Sequence, residues 1–317
     1  MLSRVAEELY WMSRHLERAE NMARIVNVNE NLLMDLPVKI PFGWQSTVLI
    51  TGVEDIFYEH YDNHDERSVI RFIVADTNNP SSLLSCISSA RENVRTTRDV
   101  IPREAWEQLN DLYHKIKNNM STAVGRRGRY AFLNSIIGNI HQIIGLLSST
   151  MTHDEGYAFL RLGRTIERAD MTSRIIDVRS ANLLESHDND LLPFDNIQWV
   201  SVLKSMTAYQ MYRQHCRTRV RGSVVLKFLL QNEQFPRSVG YCLAESVRCL
   251  QELPNNESAL REVLSLQRLN SNTNIEKLAK SGFHDHIDKI QTQLASLHNT
   301  IDKSYFLSEL DVQAHTS

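Results

Sequence analysis

The sequence of 317 residues contains few cysteines, prolines and glycines: four, seven and eleven, respectively. No two cysteines stand in CxxC spacing, and so few in a chain of this length do not indicate a disulfide framework. We therefore expect a reducing, cytoplasmic location. Most of the prolines and glycines separate periodic segments, which is typical of a helical protein.

Long apolar runs and an excess of one charge are also lacking. The longest apolar stretch, residues 136–147, is interrupted by polar residues and glycines, so we expect no membrane-spanning helix. The charged N-terminal segment lacks the apolar core of a signal peptide. The formal net charge of −3 provides no basic footprint for nucleic acid. Neither a membrane nor a nucleic acid is therefore an expected partner.

What the chain does contain is a globular composition with an unusual choice of basic residue. Hydrophobic residues make up 42% and charged residues 23%, which is enough for a large core. Of the basic residues, 26 are Arg and 9 are Lys. The planar guanidinium pairs bidentately with carboxylates and tolerates burial better than an ammonium group does. The composition therefore indicates internal ion pairs or an anionic ligand.

Apolar periodicity predicts helices along most of the chain and no strand. The expected fold is all-α, a large multi-helix bundle with two long duplicated helices and no sheet. It would form a single domain, 1–317, or two intimately packed halves, about 1–150 and 151–317. The predicted helices are 3–33, 44–61, 66–75, 80–100, 102–119, 130–150, 154–184, 197–216, 219–230, 236–250, 257–269 and 274–310.

One segment recurs at an offset of 150 residues. Residues 14–28 (RHLERAENMARIVNV) match residues 164–178 (RTIERADMTSRIIDV) without a gap, and seven of fifteen positions are identical. Both copies contain a Glu-Arg pair, at 17–18 and at 167–168. This self-similarity predicts an internal duplication that yields two long helices with one charge layout.

A helical wheel separates the charges of the repeat from most of its apolar residues. Leu16 and Ala19 lie on one face, whereas Glu17 and Arg18 lie on the opposite face together with Ile25. Because the charged face also carries apolar residues, burial of both faces would force the charges into a network. Three interpretations stay open: a surface ion-pair ladder, a buried structural network, and a site for a ligand or partner.

The candidate residues follow from these interpretations. Glu17 and Glu167 are the acid/base candidates if the protein catalyses acyl or aminoacyl transfer, which would require a cleft and a carboxylate with a raised pKa. Arg237 stands at a predicted helix start that could hold an anion, but a surface position beside a Ser238 cap is favoured. The candidates for binding a substrate or partner are Arg14, Arg18, Arg24, Arg91, Arg95, Arg164, Arg168, Arg174 and Arg237.

The sequence predicts neither a metal nor a cofactor. The Glu17/Glu20 and Glu167/Asp170 pairs lack the Glu-x-x-His pattern of dimetal bundles, and the adjacent arginines would repel a cation. The HDH stretch at 284–286 is expected to hold surface or core histidines. The nucleotide-binding patterns GxxxxGK[ST] and GxGxxG and the nucleophile elbow GxSxG do not occur.

Several short motifs occur in a fixed order along nearly the whole chain. They are residues 1–21 (MLSRVAEELYWMSRHLERAEN), 90–95 (ARENVR), 205–212 (SMTAYQMY), 235–239 (FPRSV) and the two Glu-Arg pairs. This ordered set resembles the bacterial alpha-E family, an all-helical family named for its helices and its Glu-Arg motif.

The resemblance implies a functional setting that the residues themselves do not show. Genes of this family commonly neighbour, or are fused to, a circularly permuted ATP-grasp ligase, and transglutaminase-like proteins often occur in the same clusters. The resemblance therefore implies an accessory protein or subunit of a system that forms peptide or amide bonds, without independent catalysis. The alternatives are an enzyme in its own right and a purely structural Glu-Arg clasp.

Overall fold

The computed structural model describes residues 1–35, 43–185, 192–279 and 281–306. Within these ranges the fold is all-α, as predicted, and contains no strand. The first helices are α1 Ser3–Asp35, α2 Gln45–Thr51, α3 Glu54–His60, α4 Glu66–Val74, α5 Leu83–Thr97, α6 Arg103–Asn118, α7 Met120–Val124 and α8 Arg129–Thr150. They are followed by α9 Glu155–Glu185, α10 Leu192–Ser205, α11 Tyr209–Cys216, α12 Gly222–Gln231, α13 Val239–Gln251, α14 Glu257–Asn272, α15 Ile275–Leu278, α16 Phe283–Ile301 and a π-helix, Asp302–Phe306.

Helix α1 lies at the centre of the fold, in contact with α5, α8, α9 and α10. Leu16 and Ala19 are 1% and 0% exposed, as expected of the apolar face. On the opposite face, Ile25 is 1% exposed and Glu17 is 0% exposed. The prediction that both faces can be buried is therefore confirmed for α1. Burial on both faces explains why the charged residues of this helix find partners within the protein.

The two Glu-Arg segments lie on α1 and α9, which pack directly against each other. The duplication itself stays a prediction. A glycine of α9, which the sequence analysis did not single out, brings the helices together. A Cβ placed on Gly163 would lie 2.3 Å from the carbonyl oxygen of Tyr10 and 2.5 Å from Ser13 Oγ. Only glycine fits so close to the backbone of another helix.

Three predicted helices are divided in the structure, and one of them, 274–310, is divided at Gly282, with φ of 77°, into α15 and α16. Residues 44–61 form α2 and α3, because Gly52 adopts a left-handed conformation with φ of 67° and donates to the Leu49 carbonyl. Residues 197–216 fall in α10 and α11, which are separated at Thr207 with φ of 51°. A left-handed residue interrupts the helical hydrogen bonds. The predicted connections at 36–42 and 186–191 and the predicted helix end at residue 310 lie outside the described residues.

Helix α8 is more apolar than the sequence analysis expected. Over 18 residues its mean hydropathy reaches 1.2, and among the described helices it alone has the length and composition of a membrane span. Only 28% of this window is buried within the protein. A single helix of this kind is weak evidence for a membrane span, so the expectation of no membrane-spanning helix is not overturned. In the structure α8 packs against α1 and α6.

Candidate functional site

The two Glu-Arg motifs pair crosswise between α1 and α9. Glu17 of α1 accepts two hydrogen bonds from Arg168 of α9, at 3.0 Å from Nε and 2.7 Å from Nη2. Glu167 of α9 accepts two from Arg18 of α1, at 2.5 Å and 3.0 Å. Each pair uses both carboxylate oxygens, the bidentate geometry that favours arginine over lysine. The glutamate of each motif is thus bound by the arginine of the other.

A second arginine completes the surroundings of each glutamate. Arg14 donates from Nε to Glu167 at 2.9 Å. Arg237, which immediately precedes the α13 cap, donates from Nη1 to Glu17 at 2.9 Å. Neither carboxylate is accessible to solvent, since Glu17 and Glu167 are both 0% exposed. Each glutamate is therefore fully desolvated and held by two guanidinium groups.

Glu20 extends the network along α1. It is 0% exposed and accepts hydrogen bonds from Arg24 and Arg237, the second of which links it to the Glu17 pair. His141 of α8 also contacts this carboxylate, with Nε2 at 2.9 Å from Oε1. Three helices, α1, α8 and α9, and the segment that leads into α13 are therefore connected through one charged cluster, which we call the Glu-Arg clasp. It consists of Arg14, Glu17, Arg18, Glu20, Arg24, His141, Glu167, Arg168 and Arg237.

The electrostatics of the clasp favour ionised carboxylates. Burial raises the pKa of Glu17, but the charges of Arg168 and Arg237 outweigh burial and hold the pKa well below its ordinary value. For Glu167 burial is likewise outweighed, by Arg18 and Arg14, and the pKa falls to about 2. A general acid or base at neutral pH needs a pKa nearer to 7. The raised pKa that the enzyme hypothesis requires is not found at either motif glutamate.

The clasp is suited to holding helices together. Glu17 and Glu167 have bidentate partners and no access to solvent, so these two carboxylates have no free geometry for attacking or deprotonating a substrate. Removal of one partner from such a cluster would leave a buried, uncompensated charge, which is strongly destabilising. Five arginines surround the three glutamates, so positive charge is in excess.

The crossed pairs are formed by residues of a motif that characterises a known protein family. A family model described as a predicted alpha-helical domain with a conserved ER motif matches residues 1–306. The chain belongs to the Alpha-E family. In this sequence the Glu-Arg (ER) dipeptide occurs at residues 17–18 and 167–168, and these residues form the crossed pairs.

Curated relatives of this Alpha-E chain are found in mycobacteria. An uncharacterised protein of Mycobacterium bovis and one of Mycobacterium tuberculosis are each 22% identical to it over 286 residues. The similarity covers 84% of the chain but 32% of each relative. The chain thus spans about a third of the length of the curated relatives it matches. No solved structure matches it.

Four predicted binding arginines lie outside the clasp of this Alpha-E protein. Arg174 pairs with Asp170 one turn away on α9, at 2.9 Å. Arg91 of α5 donates to Asn110 at 2.8 Å and lies over the Tyr113 ring at 4.9 Å. The other two are Arg95, which forms an exposed pair with Glu92 at 2.8 Å, and Arg164, which has no hydrogen bond or ion pair with the described residues.

The predicted surface position of Arg237 is wrong. Ser238 does cap α13, accepting a hydrogen bond from the Tyr241 backbone at 3.1 Å. Arg237 itself is only 9% exposed and binds the carboxylates of Glu17 and Glu20. Local sequence identifies a cap, but it does not show which buried carboxylate lies across from it.

Two members of the clasp were missed as site residues. In the sequence, Glu20 stands out only as half of the Glu17/Glu20 carboxylate pair, and His141 is only one of the polar residues within 136–147. The spacing of Glu20 one turn after Glu17 was an available signal, because residues three apart share a helix face. His141 carried no comparable signal, since its contact with Glu20 depends on how α8 packs against α1.

One group among the described residues has the spacing of metal ligands. Asp177, His284 and Asp288 each offer a ligand atom, and these atoms lie within 4.8 Å of one another. His284 Nδ1 is 2.9 Å from the Asp177 carboxylate, and the pKa of His284 is raised by this hydrogen bond and charge. His284 and Asp288 are exposed, and exposed groups of this kind are common without an ion.

Proposed function

We propose that this Alpha-E chain is a non-catalytic helical subunit of an ATP-grasp-dependent system that forms peptide or amide bonds. The partner is a circularly permuted ATP-grasp ligase, which activates a carboxylate and transfers it to an amine. A transglutaminase-like protein would act in the same system. The Glu-Arg clasp keeps the helices of the chain in one arrangement, and the surface built on those helices contacts the partner or an anionic substrate.

The observation that carries this proposal is the state of the two motif glutamates. Glu17 and Glu167 are inaccessible to solvent, each is held by two arginines, and the pKa of each is lowered. Loss of one partner from such a group is strongly destabilising, and a carboxylate with so low a pKa does not transfer protons near neutral pH. Because the glutamates of its characteristic motif are not available as general acids or bases, the chain is better suited to a role beside a partner than to independent catalysis.

The length of the relatives also supports a role beside another protein. Because the similarity covers 32% of each mycobacterial relative, most of each relative lies outside the matched region. A helical unit that lies within longer chains is consistent with work alongside another domain. The family resemblance supplies the ATP-grasp ligase as that domain.

The test is to coexpress this chain with the circularly permuted ATP-grasp protein encoded in the same genome. Light scattering after size-exclusion chromatography would measure complex formation, and release of ADP would measure ATP turnover with and without the chain. We expect a complex of defined stoichiometry and turnover that depends on the chain. Absence of a complex, together with turnover that is unchanged by the chain, would overturn the proposal.

Variants separate a structural clasp from a catalytic site. Glu17→Gln and Glu167→Gln are expected to lower ATP turnover only to the extent that they lower the melting temperature or weaken the complex. Glu107→Gln is a matched control, because Glu107 forms an exposed i, i+4 pair with Arg103 at 2.8 Å. Loss of turnover in Glu17→Gln with normal melting and normal complex formation would assign catalysis to the motif.

A further inference from the structure

A cleft with acidic side chains lies between α9 and the start of α16. Asp177 of α9 and His284 and Asp285 of α16 line it. His284 Nδ1 is 2.9 Å from each carboxylate oxygen of Asp177, and Nε2 of the same ring is 3.6 Å from Asp288 Oδ2, one turn further along α16. Asp177 and His284 are 107 residues apart in the chain, so the packing of α16 against α9 brings these side chains together.

The negative charge of this cleft lacks the compensation found in the Glu-Arg clasp. Every buried glutamate of the clasp is bound by at least one arginine. The Asp177 side chain is only 13% exposed, yet among the described residues its one ion-pair partner is His284, which is charged only when protonated. Neither Asp285 nor Asp288 pairs with a lysine or arginine in the part of the chain that the structure describes. A cation bound in the cleft would offset the cost of burying an unmatched carboxylate.

The donor atoms of the cleft suit a zinc ion. Asp177, His284 and Asp288 each offer one ligand atom, and these atoms lie within 4.8 Å of one another. Zinc binds imidazole nitrogen and carboxylate oxygen at about 2.0–2.2 Å, which places the ligand atoms of a tetrahedral site about 3.4 Å apart. His284 and Asp288 are exposed, so small rotations of their side chains can reach this spacing. The imidazole nitrogen favours zinc over magnesium and calcium, which prefer oxygen ligands.

The cleft also has room for a ligand that the protein does not supply. Its volume is about 520 Å³, and Ser180 and Ser281 also line it. A zinc ion with three protein ligands keeps a fourth position for water or for an oxygen atom of another molecule. A single water needs far less space than this cleft provides. The fourth position can therefore be filled without any rearrangement of the helices.

We propose that Asp177, His284 and Asp288 bind one Zn²⁺ ion between α9 and α16. The ion takes the place of the proton that His284 and Asp177 share, and it matches the negative charge that the described part of the chain leaves uncompensated. Because α9 also carries Glu167, the ion fixes α16 to one of the two helices of the Glu-Arg clasp. The site does not depend on the proposed partnership with an ATP-grasp ligase.

The test is a calorimetric titration of the full chain with Zn²⁺, after treatment with EDTA and dialysis. Mg²⁺ is the second probe, because it is attracted by carboxylates but not by imidazole. We expect one equivalent of Zn²⁺ to bind, at least about a hundredfold more tightly than Mg²⁺. Because the ion binds only the folded chain, excess Zn²⁺ should also raise the melting temperature.

Two substitutions remove a ligand without disturbing the core. His284→Gln changes an exposed side chain, and Asp177→Asn keeps the shape of the side chain. Each should weaken Zn²⁺ binding by at least about tenfold, the lower limit for loss of a residue that only orients a ligand. Both should abolish the rise in melting temperature, whereas circular dichroism without the metal should show the same helical fold.

Two controls address other groups that attract zinc. His60→Gln removes an exposed histidine whose ring contacts only the Ile56 carbonyl oxygen of its own helix, at 3.0 Å. Cys216→Ser removes the one cysteine that is not buried. Each control should alter Zn²⁺ affinity less than about twofold and leave the rise in melting temperature unchanged.

Three results would overturn this assignment. The first is Zn²⁺ binding that is equally strong in His284→Gln and in the unaltered chain. The second is binding of Mg²⁺ as tight as that of Zn²⁺, which would indicate general attraction to acidic groups. The third is loss of Zn²⁺ binding in Cys216→Ser, which would place the ion at the thiol.

Discussion

Glu167→Gln is the substitution that most directly tests the clasp. The side chain keeps its shape and loses its charge, so Arg14 and Arg18 lose their carboxylate inside the protein. Glu167 is 0% exposed, and water cannot replace the missing partner. The predicted consequence is a large loss of folding free energy without a change in the helical fold.

Two independent arguments give the magnitude of this loss. Breaking a buried ion pair by removing one partner costs about 3–5 kcal/mol. The pKa of Glu167 falls from 4.5 to about 2, and at about 1.4 kcal/mol per pH unit this corresponds to about 3 kcal/mol. We therefore expect Glu167→Gln to lower the free energy of unfolding by about 3 kcal/mol or more. Glu107→Gln, at an exposed pair, should lower it by about 0.5 kcal/mol or less.

Urea unfolding followed by circular dichroism at pH 7 would measure both variants. A double-mutant cycle with Arg18→Gln isolates the pair itself, and we expect a coupling energy of about 1–3 kcal/mol. The reasoning is refuted if Glu167→Gln and Glu107→Gln unfold at the same urea concentration. A coupling energy near zero would equally contradict a clasp made by this bidentate pair.

Three further predictions concern packing, pH and thiol chemistry. Gly163→Ala should destabilise the protein by about 1–3 kcal/mol, because the added methyl group would overlap with the α1 backbone. Gly138 has open space around its Cβ position, so Gly138→Ala should stabilise the protein by up to about 1 kcal/mol. Equal urea midpoints for the two variants would contradict this difference. Because the pKa values of Glu17 and Glu167 are lowered on folding, their contribution to the free energy of unfolding is present above pH 4.5 and should be lost as the pH falls toward 2. Urea midpoints that do not change between pH 5 and pH 3 would contradict this loss. Ellman's reagent should modify one thiol in the native protein, that of the partly exposed Cys216. The other three thiols are buried, and burial raises their pKa values to about 12: Cys86, Cys242 and Cys249. Fast modification of more than one thiol would contradict this prediction.

Local sequence was sufficient for the fold class and for most helices. The predicted segments at 66–75, 102–119 and 130–150 correspond closely to α4, α6 and α8. Helical periodicity and capping act between residues a few positions apart, so a single sequence reveals them. The divisions at Gly52 and Thr207 were not foreseen, because a left-handed residue inside a periodic segment leaves little trace in the pattern.

The partners of the charged residues could not be read from the same pattern. The sequence showed two Glu-Arg pairs with matching surroundings, and it left a surface ladder, a buried network and a binding site open. In the structure each glutamate pairs with the arginine of the other helix, at least 149 residues away along the chain. Such pairing depends on how α1 and α9 pack, which helical periodicity does not specify.

The sequence by itself determined that this chain is helical, that α1 can be buried on both faces, and that it resembles the Alpha-E family. Only the tertiary structure decided that Arg237 binds Glu17 and that Arg164 forms no hydrogen bond or ion pair with the residues that the structure describes. The physical reason is that helix formation follows from neighbouring residues, whereas the partner of a buried charge is set by the helix that packs across from it. Matching sequence positions, such as Arg14 and Arg164, can therefore end in different electrostatic surroundings.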